Sequence, residues 1–563
     1  MERIWLKSYP PGMATDIDPA ELPSLKMMAE RSFATFRART AFIQMGRHLT
    51  YGELDRLSRD FAAWLQHSGL KRGDRLGIML PNVLQYPIAM FAALRAGFTV
   101  VNINPLYTAP ELEHQLRDSG CVALVVLENF AHVVEAVLPR TSLKHVVVTS
   151  VGELLGFPKS AIVDFVVRRV HHQVPPFDIP GAMRFSAALA AGRAHTLADI
   201  DLTHDDIAFL QYTGGTTGVA KGAMLTHGNI CSNVLQASGW VAPFLPPAIE
   251  RAQYLVTPIP LYHIFALTAN CMLFLRLGWS NVLIVNPRDF PAFVAELKRY
   301  PFAFLSGVNT LFNALLHTSG FDRVDFSHLK ITLGGGMAVQ EPVARRWNAV
   351  TGIPLTQAWG LTETSPGACI NLPQTEFNGS IGLPIASTEI SIRDEAGAEL
   401  PLGTVGEICV KGPQVMRGYW NRPDETALVM LPGGWLRTGD IGRMDEKGFV
   451  YIEDRKKDMI VVSGFKVFPN QVEEVVAAIP GIVEVAAVAQ TDERAGEIVA
   501  LFVVSRDPAL TERAIIDKCR ESLTGYKLPR HVYFRKELPK SNVGKILRRT
   551  LRDELAQRFA TPQ

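Results

Sequence analysis

The sequence has almost no excess of charge of either sign: 57 Lys and Arg residues against 55 Asp and Glu residues leave a net charge of +2 over 563 residues. Composition therefore gives no reason to expect a nucleic-acid partner, which requires a strongly basic surface. Cysteine is also scarce, and the absence of a Cys-x-x-Cys pair argues against a zinc site or a disulfide framework and fits a reducing compartment. The six cysteines are Cys121, Cys231, Cys271, Cys369, Cys409 and Cys519.

Long apolar runs are missing as well. The longest uncharged apolar run in the middle of the chain, residues 264–275, has 12 residues, whereas a membrane-spanning helix needs about 20. Residues 1–20 mix charges with prolines and do not resemble a signal peptide. We therefore expect a cytoplasmic protein that at most touches the cytoplasmic face of the membrane.

Hydrophobic content of 47% and charged content of 20% are typical of globular proteins. Strand and helix patterns alternate from residue 51 to residue 126, which predicts parallel strands in layered α/β sheets. From about residue 380 short strands with Gly/Pro turns predict a small β-rich subdomain, and the last stretch alternates again. We expect an α/β fold, with a large N-terminal domain at 1–454 and a small, mobile α+β domain at 455–563.

One glycine-rich loop, YTGGTTGVAKG (212–222), stands out between a predicted strand at 206–211 and a second apolar stretch, and residues 226–229 then predict the cap of a helix. Its glycines let backbone N–H groups face an anion, its threonines add hydroxyls, and Lys221 adds a point charge. This inventory suits a triphosphate, although Gly222 after Lys221 departs from the Walker pattern. The alternative is a flexible hairpin turn. The candidate ligands are Thr213, Gly214, Gly215, Thr216, Thr217, Gly218 and Lys221.

Three further charged residues have both a functional and an ordinary interpretation. Glu363 follows a turn and can hold Mg²⁺ beside phosphate oxygens, or it is an exposed acid. Asp440 can accept both hydrogens of a ribose diol, or it belongs to a Gly-Asp turn. Arg455 can bind the same nucleotide through its two-pronged guanidinium, or it is a surface charge in a basic run.

Two more residues each have two interpretations when only the neighbouring sequence is considered. Trp359 can stack on adenine, or it is a half-buried core aromatic. Lys545 lies in a glycine-containing loop and can reach a developing charge, or it is an ordinary surface lysine. The basic and apolar segment at 151–190 likewise predicts either contact with an anionic membrane or a helix packed on its own domain.

Together these stretches resemble the adenylate-forming superfamily of acyl-CoA synthetases, luciferases and peptide-synthetase adenylation domains. The resemblance runs from about residue 51 to residue 552 and rests on motifs that occur in the superfamily's order. They are YTGGTTGVAKG (212–222), WGLTETSP (359–366), TGDIG (438–442), DRKKDMIVVSGFKVFP (454–469) and PKSNVGKILRR (539–549). Further stretches, PLYHIFALT (260–268) among them, are similar to bacterial long-chain fatty-acid:CoA ligases. Trp359 replaces the tyrosine that is common at its position.

The resemblance implies that the chain joins a long-chain fatty acid to CoA through an acyl-adenylate, using ATP and Mg²⁺. It implies that Lys545 bridges carboxylate and α-phosphate, that His263 lies near the carboxylate, and that Thr217 and Glu363 hold the metal. It places the C-terminal hinge at Lys457. The remaining residues that it assigns to nucleotide or pantetheine are Gly334, Gly335, Gly336, Trp359, Gly360, Thr362, Asp440, Arg455 and Gly464.

Other functions remain compatible with the sequence, within this family and beyond it. A fatty acyl-AMP ligase or a ligase for medium-chain or aryl acids shares these motifs. A non-catalytic nucleotide-binding or membrane-scaffold relative conflicts with the presence of Lys221, Glu363, Asp440, Arg455 and Lys545 together. A homodimer and peripheral contact with the inner membrane are both compatible with the sequence.

Overall fold

The structure is a computed structural model that describes residues 2–213, 220–247, 252–492 and 494–560. Residues 214–218, which carry five of the predicted phosphate ligands, lie outside the described residues. The chain forms two large sheets, one small antiparallel sheet and a separate C-terminal sheet. The predicted α/β fold class, with its large N-terminal part, small β-rich unit and C-terminal α+β unit, is confirmed.

The first part of the chain builds a seven-stranded sheet in the order β7-β6-β5-β3-β4-β8-β9. All neighbours in it are parallel except β8 and β9. Up to residue 241 the strands are β1 (Thr40–Gln44), β2 (Arg47–Thr50), β3 (Arg75–Met79), β4 (Thr99–Asn102), β5 (Ala123–Leu127), β6 (His145–Thr149), β7 (Met183–Arg184), β8 (Ile207–Thr213) and β9 (Lys221–Thr226), and the helices are α1 (Leu25–Thr35), α2 (Tyr51–His67), α3 (Gln85–Arg95), α4 (Ala109–Ser119), α5 (Ala131–Val137), α6 (Lys159–Phe165), α7 (Phe185–Gly192) and α8 (His227–Val241).

The middle of the chain completes a nine-stranded sheet, ordered β16-β15-β14-β13-β12-β10-β11-β1-β2, and a small sheet of β17 to β21. The strands are β10 (Tyr254–Thr257), β11 (Ser280–Leu283), β12 (Phe302–Gly307), β13 (Ile331–Gly334), β14 (Leu355–Gly360), β15 (Gly367–Ile370), β16 (Leu383–Pro384), β17 (Glu389–Arg393), β18 (Gly406–Lys411), β19 (Met430–Leu431), β20 (Trp435–Met444) and β21 (Val450–Arg455), and the helices are α9 (Ile264–Ala266), α10 (Leu273–Arg276), α11 (Phe290–Leu297), α12 (Asn309–Leu316), α13 (Glu341–Thr351) and α14 (Pro423–Val429).

The C-terminal part is a five-stranded sheet with helices on both faces. Residues of β24 alternate between the two faces, so that Val485 and Ala487 join one core and Ala486 and Val488 join the other. The strands are β22 (Ile460–Val462), β23 (Phe465–Val467), β24 (Ile482–Asp492), β25 (Gly496–Ser505) and β26 (His531–Phe534), and the helices are α15 (Pro469–Ala477), α16 (Glu512–Arg520) and α17 (Arg548–Ala560).

Local sequence explains where the main helices begin. Thr50 and Glu53 form a reciprocal capping box at the start of α2, and Thr226 with Asn229 does the same for α8, as its sequence predicts.

Helix α3 is buried along its whole length in the core that links the two large sheets, because its sequence is apolar on nearly every side. None of the helices in the described part of the chain has the length and hydropathy of a membrane-spanning segment.

The boundary between the domains, expected between residues 454 and 455, stays a prediction. Strand β21 ends at Arg455 in the small sheet, and the next strand, β22, begins at Ile460 in the C-terminal sheet. The chain therefore passes from one sheet to the other within residues 456–459.

Candidate active site

The glycine-rich loop joins two antiparallel strands at the edge of the seven-stranded sheet. Thr213, the last residue of β8, is the direct cross-strand partner of Lys221, the first residue of β9. The hairpin geometry that we considered as an alternative is therefore present in the flanking strands, and it brings the two ends of the loop together. The predicted ligands between them, Gly214, Gly215, Thr216, Thr217 and Gly218, lie outside the described residues.

Lys221 already faces anionic and aromatic groups. Its Nζ forms an ion pair with Glu425 on α14, and it lies 5.2 Å from the centre of the Tyr419 ring. Tyr419 in turn donates its hydroxyl hydrogen to Glu363 Oε1 at 2.7 Å. Burial and the Glu363 charge raise the pKa of Tyr419 above its usual value, so the hydroxyl keeps its proton and stays a donor.

Glu363 lies in a short 3₁₀ turn, Thr362–Thr364, directly after β14. Its backbone carbonyl accepts a hydrogen bond from the amide of Met416 at 2.8 Å, which fixes the turn against the small β-rich unit. Only glycine fits at position 360, because a β-carbon there would collide with the carbonyl oxygen of Pro366. The turn that presents Thr362 and Glu363 is therefore rigidly defined.

Asp440 has both carboxylate oxygens engaged. Trp359 Nε1 donates to Oδ2 at 2.9 Å, and Arg455 Nε lies 3.2 Å from Oδ1. The interpretation of Asp440 as part of an ordinary turn is wrong, because it lies within β20, opposite Arg455 of β21. Trp359 and the Asp440 side chain are 8% and 4% exposed, so the tryptophan is buried at the edge of the core with its N–H aimed at the carboxylate.

The second glycine cluster follows β13. A β-carbon at Gly335 would lie 3.2 Å from the carbonyl oxygen of Ala358 and from the Phe265 ring, so the backbones approach closely here. Gly336 has a φ of +78° and closes the turn. A β-carbon on Gly336 would lie 3.4 Å from Lys545 Cε and 3.9 Å from Lys545 Nζ. The C-terminal lysine therefore reaches the turn at Gly336.

Lys545 is not the solvated surface lysine that we considered as an alternative. Its loop is closed by a hydrogen bond from its own amide to Ser541 Oγ at 3.1 Å. Thr310 on α12 donates to the carbonyl of Gly544 at 2.8 Å and holds the loop against the N-terminal domain. Burial, helped by Arg455, lowers the pKa of Lys545 to about 8.

The surroundings of Lys545 carry charges of both signs. Asp440 and Glu363 raise its pKa, whereas Arg455 and Lys457 lower it. Burial also lowers the pKa of Lys457 to about 8, and Arg455 adds to the effect. Lys545 thus lies within electrostatic reach of two further cations and two carboxylates, an arrangement that can bind a polyanion and neutralise charge that develops during reaction.

His263 belongs to the same cluster as a neutral side chain. Burial, with a smaller contribution from the Lys545 charge, lowers the pKa of His263 to about 3. Its Nδ1 accepts a hydrogen bond from the amide of Phe265 at 3.3 Å. The proton of the neutral ring then lies on Nε2, which makes His263 a hydrogen-bond donor to an acidic substrate.

Gly464 is the one described member of the predicted set that the structure leaves apart. It forms the turn between β22 and β23 with a φ of +86°, and a β-carbon there would meet no heavy atom within 4 Å. A side chain at this position would therefore point into open space and not toward the cluster around Lys545. Beside the turn, Phe465 is 57% exposed and stacks on Tyr526 with ring centres 4.9 Å apart.

Two residues that connect the cluster were missed from sequence. Tyr419 bridges Lys221 and Glu363, and Thr310 anchors the Lys545 loop. Neither carries a local signal, because each meets its partner across a large separation in the chain.

Comparison with known proteins agrees with this geometry. The family model described as "AMP-binding enzyme" matches residues 29–420, and the model of that family's C-terminal domain matches residues 471–545. The chain is 52% identical to a long-chain-fatty-acid--CoA ligase of Escherichia coli O6:H1 over 98% of both chains, and 50% identical to the enzyme of that name from Haemophilus influenzae over 98% of this chain and 99% of the relative.

Solved structures show the same fold. The crystal structure of ATP-bound MatB from Rhodopseudomonas palustris superposes with a TM-score of 0.82 at 26% identity, over 95% of this chain and all of the other. The family model and the full-length relatives leave one conclusion: the chain belongs to the AMP-binding enzyme family.

Proposed function

We propose that the protein is an ATP-dependent ligase that joins a long-chain fatty acid to CoA and releases AMP and pyrophosphate. The observation that carries the proposal is the position of Lys545, which reaches from the C-terminal domain to Gly336 beside the Asp440–Arg455 pair. The full-length relatives that carry the name long-chain-fatty-acid--CoA ligase support the choice of acid.

In the first step the fatty-acid carboxylate attacks the α-phosphate of ATP, the bond to pyrophosphate breaks, and an acyl-adenylate forms. Several negative charges meet in this step, so the site must align them and supply positive charge. We assign Lys545 to the bridge between the carboxylate and the α-phosphate. His263 donates its Nε2 hydrogen to the carboxylate, and Lys221 leaves Glu425 to bind the outer phosphates with residues 213–218.

We assign the nucleoside to the group around Asp440. Asp440 and Arg455 bind the ribose hydroxyls, while Trp359 and the turn at 334–336 enclose the adenine beside Gly360 and Thr362. Glu363 suits Mg²⁺, because a single carboxylate with substrate phosphates is a common set of ligands for that ion. The predicted second protein ligand is Thr217. When bound, Mg²⁺ would neutralise phosphate charge.

In the second step the pantetheine sulfur attacks the acyl carbon and AMP leaves. Lys545 has no role in this attack, and we propose that the C-terminal domain rotates about Lys457 and brings the turn at 463–465 to the pantetheine path. Gly464, which has open space around it, is suited to line such a path. A proline at Lys457 should spare adenylation and slow thioester formation.

The deciding experiment measures AMP and acyl-CoA formation with ATP, Mg²⁺ and CoA across acetate, octanoate, palmitate, oleate and a coumarate. We expect a maximum at palmitate or oleate. Acyl-adenylate that builds up without acyl-CoA would indicate an acyl-AMP ligase, and a maximum at the short or aromatic acids would overturn the assignment of a long-chain substrate.

The variant Lys545→Ala tests the role of the lysine. It should lose adenylation by roughly a hundred- to a thousandfold yet convert supplied acyl-adenylate to thioester. Loss of both half-reactions would refute this role.

We also propose peripheral contact with an anionic membrane through residues 154–172. Polar groups hold helix α6 and the π-helix Val166–Val170 to the protein, and the apolar side chains of both helices are at most half-buried. Asp164 accepts hydrogen bonds from Ser150 and the amide of Gly152, and Arg168 forms a two-pronged pair with buried Glu128 at 2.7 Å. Neither helix has a buried residue, which argues against simple packing on the domain.

Large apolar side chains point outward from this segment. Phe157 is 91% exposed, Phe165 61%, Ile162 59% and Val170 56%, and the exposed Arg169 lies among them. An outward apolar face with a cation suits the boundary of an anionic bilayer, where a fatty acid also partitions. The proposal predicts a protein that lies on the membrane rather than one that spans it.

Phe157→Glu and Phe165→Glu test this surface by co-sedimentation with vesicles that contain anionic lipid. We expect the double variant to lose binding, whereas Leu428→Glu, a change at a leucine that is 76% exposed elsewhere, should keep it. Equal binding by the original protein, the double variant and Leu428→Glu would refute the proposed membrane contact. Arg168 is unsuited to the test, since its loss would remove two hydrogen bonds from buried Glu128 and leave Arg184 to pair with it. The expected homodimer stays a prediction that analytical ultracentrifugation can check.

A further inference from the structure

Arg548 is the best-anchored arginine near the active site, although no role above involves it. It is the first residue of α17, three residues after Lys545. Its guanidinium binds Glu473 through two hydrogen bonds of 3.0 and 2.7 Å and Asn470 through one of 2.6 Å. A fourth hydrogen bond, of 3.2 Å, runs to Asp454 Oδ1.

Asp454 lies on the other side of the joint between the two domains. It belongs to β21 of the small sheet, and its side chain is fully buried. Its Oδ2 accepts the amide hydrogen of Asn470 in the first turn of α15, where a helix N-terminus favours an anion. The carboxylate therefore makes contacts with α15 and α17, both of which belong to the C-terminal domain.

These contacts cross residues 456–459, the stretch where the chain passes between the two sheets. The neighbouring Asp458 strengthens the cluster, with its carboxylate 3.6 Å from Arg548 and 3.4 Å from Arg552. Arg552 also donates to the carbonyl of Lys457 at 3.0 Å. The base of α17 is thus bound both to the joint itself and to the strand that precedes it.

We infer that Arg548 is a positioning residue that holds Lys545 in the active site by binding Asp454 across the joint between the domains. The inference rests on the proposed adenylation role of Lys545. Lys545 lies only three residues before Arg548, which begins α17, so a guanidinium fixed to the N-terminal domain fixes the end of the lysine loop. The Thr310–Gly544 hydrogen bond holds the other side of that loop.

Charge explains why removing Arg548 should matter. Burial raises the pKa of Asp454 to about 6 even though Arg548 counteracts it. Burial alone would lower the pKa of Arg548, but Glu473 and Asp454 outweigh it and the pKa ends above its usual value. Without the arginine the pKa of Asp454 rises further, because its main counter-charge is gone. The buried carboxyl must then take up a proton or stay ionised without a partner, and either way the contact that joins the two domains at this point is lost.

Arg548→Ala tests the inference in the full-length enzyme, with Arg549→Ala as the matched control. Arg549 is the next residue, it is exposed, and it pairs with Asp553 on its own helix. Two half-reactions are measured: pyrophosphate release with ATP and palmitate, and thioester formation from supplied palmitoyl-adenylate and CoA. We expect Arg548→Ala to lower the adenylation kcat at least tenfold, with the KM for ATP and the second half-reaction within about threefold of the original enzyme.

The double variant Arg548→Ala with Asp454→Asn separates positioning from a structural effect within the C-terminal domain. Asp454 belongs to the other domain, so neutralising it should restore adenylation at least threefold by removing the stranded charge. Equal loss of both half-reactions without rescue would overturn the inference, and so would undiminished adenylation in Arg548→Ala.

If Arg548→Ala does not fold, the same two half-reactions are measured for Arg548→Lys, which keeps a cation but loses the several hydrogen bonds of the guanidinium. Adenylation by that variant equal to the original rate would overturn the inference. Failure of the original enzyme to form any acyl-adenylate would instead overturn the proposed function.

Discussion

Raising the pH should switch off adenylation, because the role that we propose for Lys545 depends on its positive charge. Burial lowers the pKa of this lysine to about 8. The side chain is a cation below that pH and becomes neutral as the pH rises through it. Only the cation can bridge two anions, so the active form is the one that is lost on the alkaline side.

The size of the effect follows from the pKa. About nine tenths of Lys545 is charged at pH 7 and about one tenth at pH 9. Above pH 8 the kcat/KM of adenylation should therefore fall by roughly tenfold per pH unit, since this ratio reports ionisations of the free enzyme. An ordinary lysine with a pKa near 10.4 would leave the rate flat to about pH 9.5.

The assay is pyrophosphate release with ATP and palmitate between pH 6 and pH 10. CoA is left out because its thiol ionises in the same range. Lys545→Arg should lower the plateau and remove the alkaline fall, since a guanidinium keeps its charge throughout. Lys457 has a similarly lowered pKa, so Lys457→Arg is the control and should keep the fall near pH 8.

Two outcomes would refute this reasoning. A flat profile to pH 9.5 in the original enzyme would mean that Lys545 is not desolvated as the structure has it. A fall near pH 8 that persists in Lys545→Arg but disappears in Lys457→Arg would assign the ionisation to Lys457.

Two further substitutions probe the surroundings of the lysine. Asp440→Asn keeps an oxygen for the Trp359 N–H but removes the charge, so the KM for ATP should rise by about ten- to a hundredfold, and the alkaline fall should move to lower pH because Asp440 raises the pKa of Lys545. A KM within threefold of the original would contradict the ribose role. Gly360→Ala should destabilise the protein by about 1–3 kcal/mol or more, because the new carbon collides with Pro366; Gly239→Ala, where a β-carbon meets nothing within 4 Å, should leave the unfolding midpoint unchanged or raised.

Sequence predicted the elements of the fold because their signals are local. The strand expected at 206–211 is observed at Ile207–Thr213, and the cap at Thr226 opens α8 as expected. Strand β2 was missed, because its four residues, Arg47–Thr50, bury only one side chain completely and show little apolar alternation. The small β-rich sheet was recognised from its turns, since glycine and proline mark such turns directly.

The candidate site was harder to derive, because its contacts join distant segments. Asp440, Arg455 and Lys545 were named from motifs, but motifs carry no distances. The position of Lys545 over Gly336 depends on how the C-terminal domain sits, which no periodicity encodes. The pairing of Lys221 with Glu425 likewise depends on α14 lying beside the edge of another sheet.

The end of β21 shows how one short stretch serves both the site and the domain arrangement. Successive residues of a strand point to opposite sides. Arg455 accordingly reaches Asp440 in the candidate nucleotide site, while its neighbour Asp454 points away and binds Arg548 and the start of α15. A movement of the C-terminal domain that breaks the second set of contacts must act on the strand that carries the first. Binding of a nucleotide to Arg455 and seating of Lys545 should therefore be coupled through a single peptide unit, with no longer pathway required.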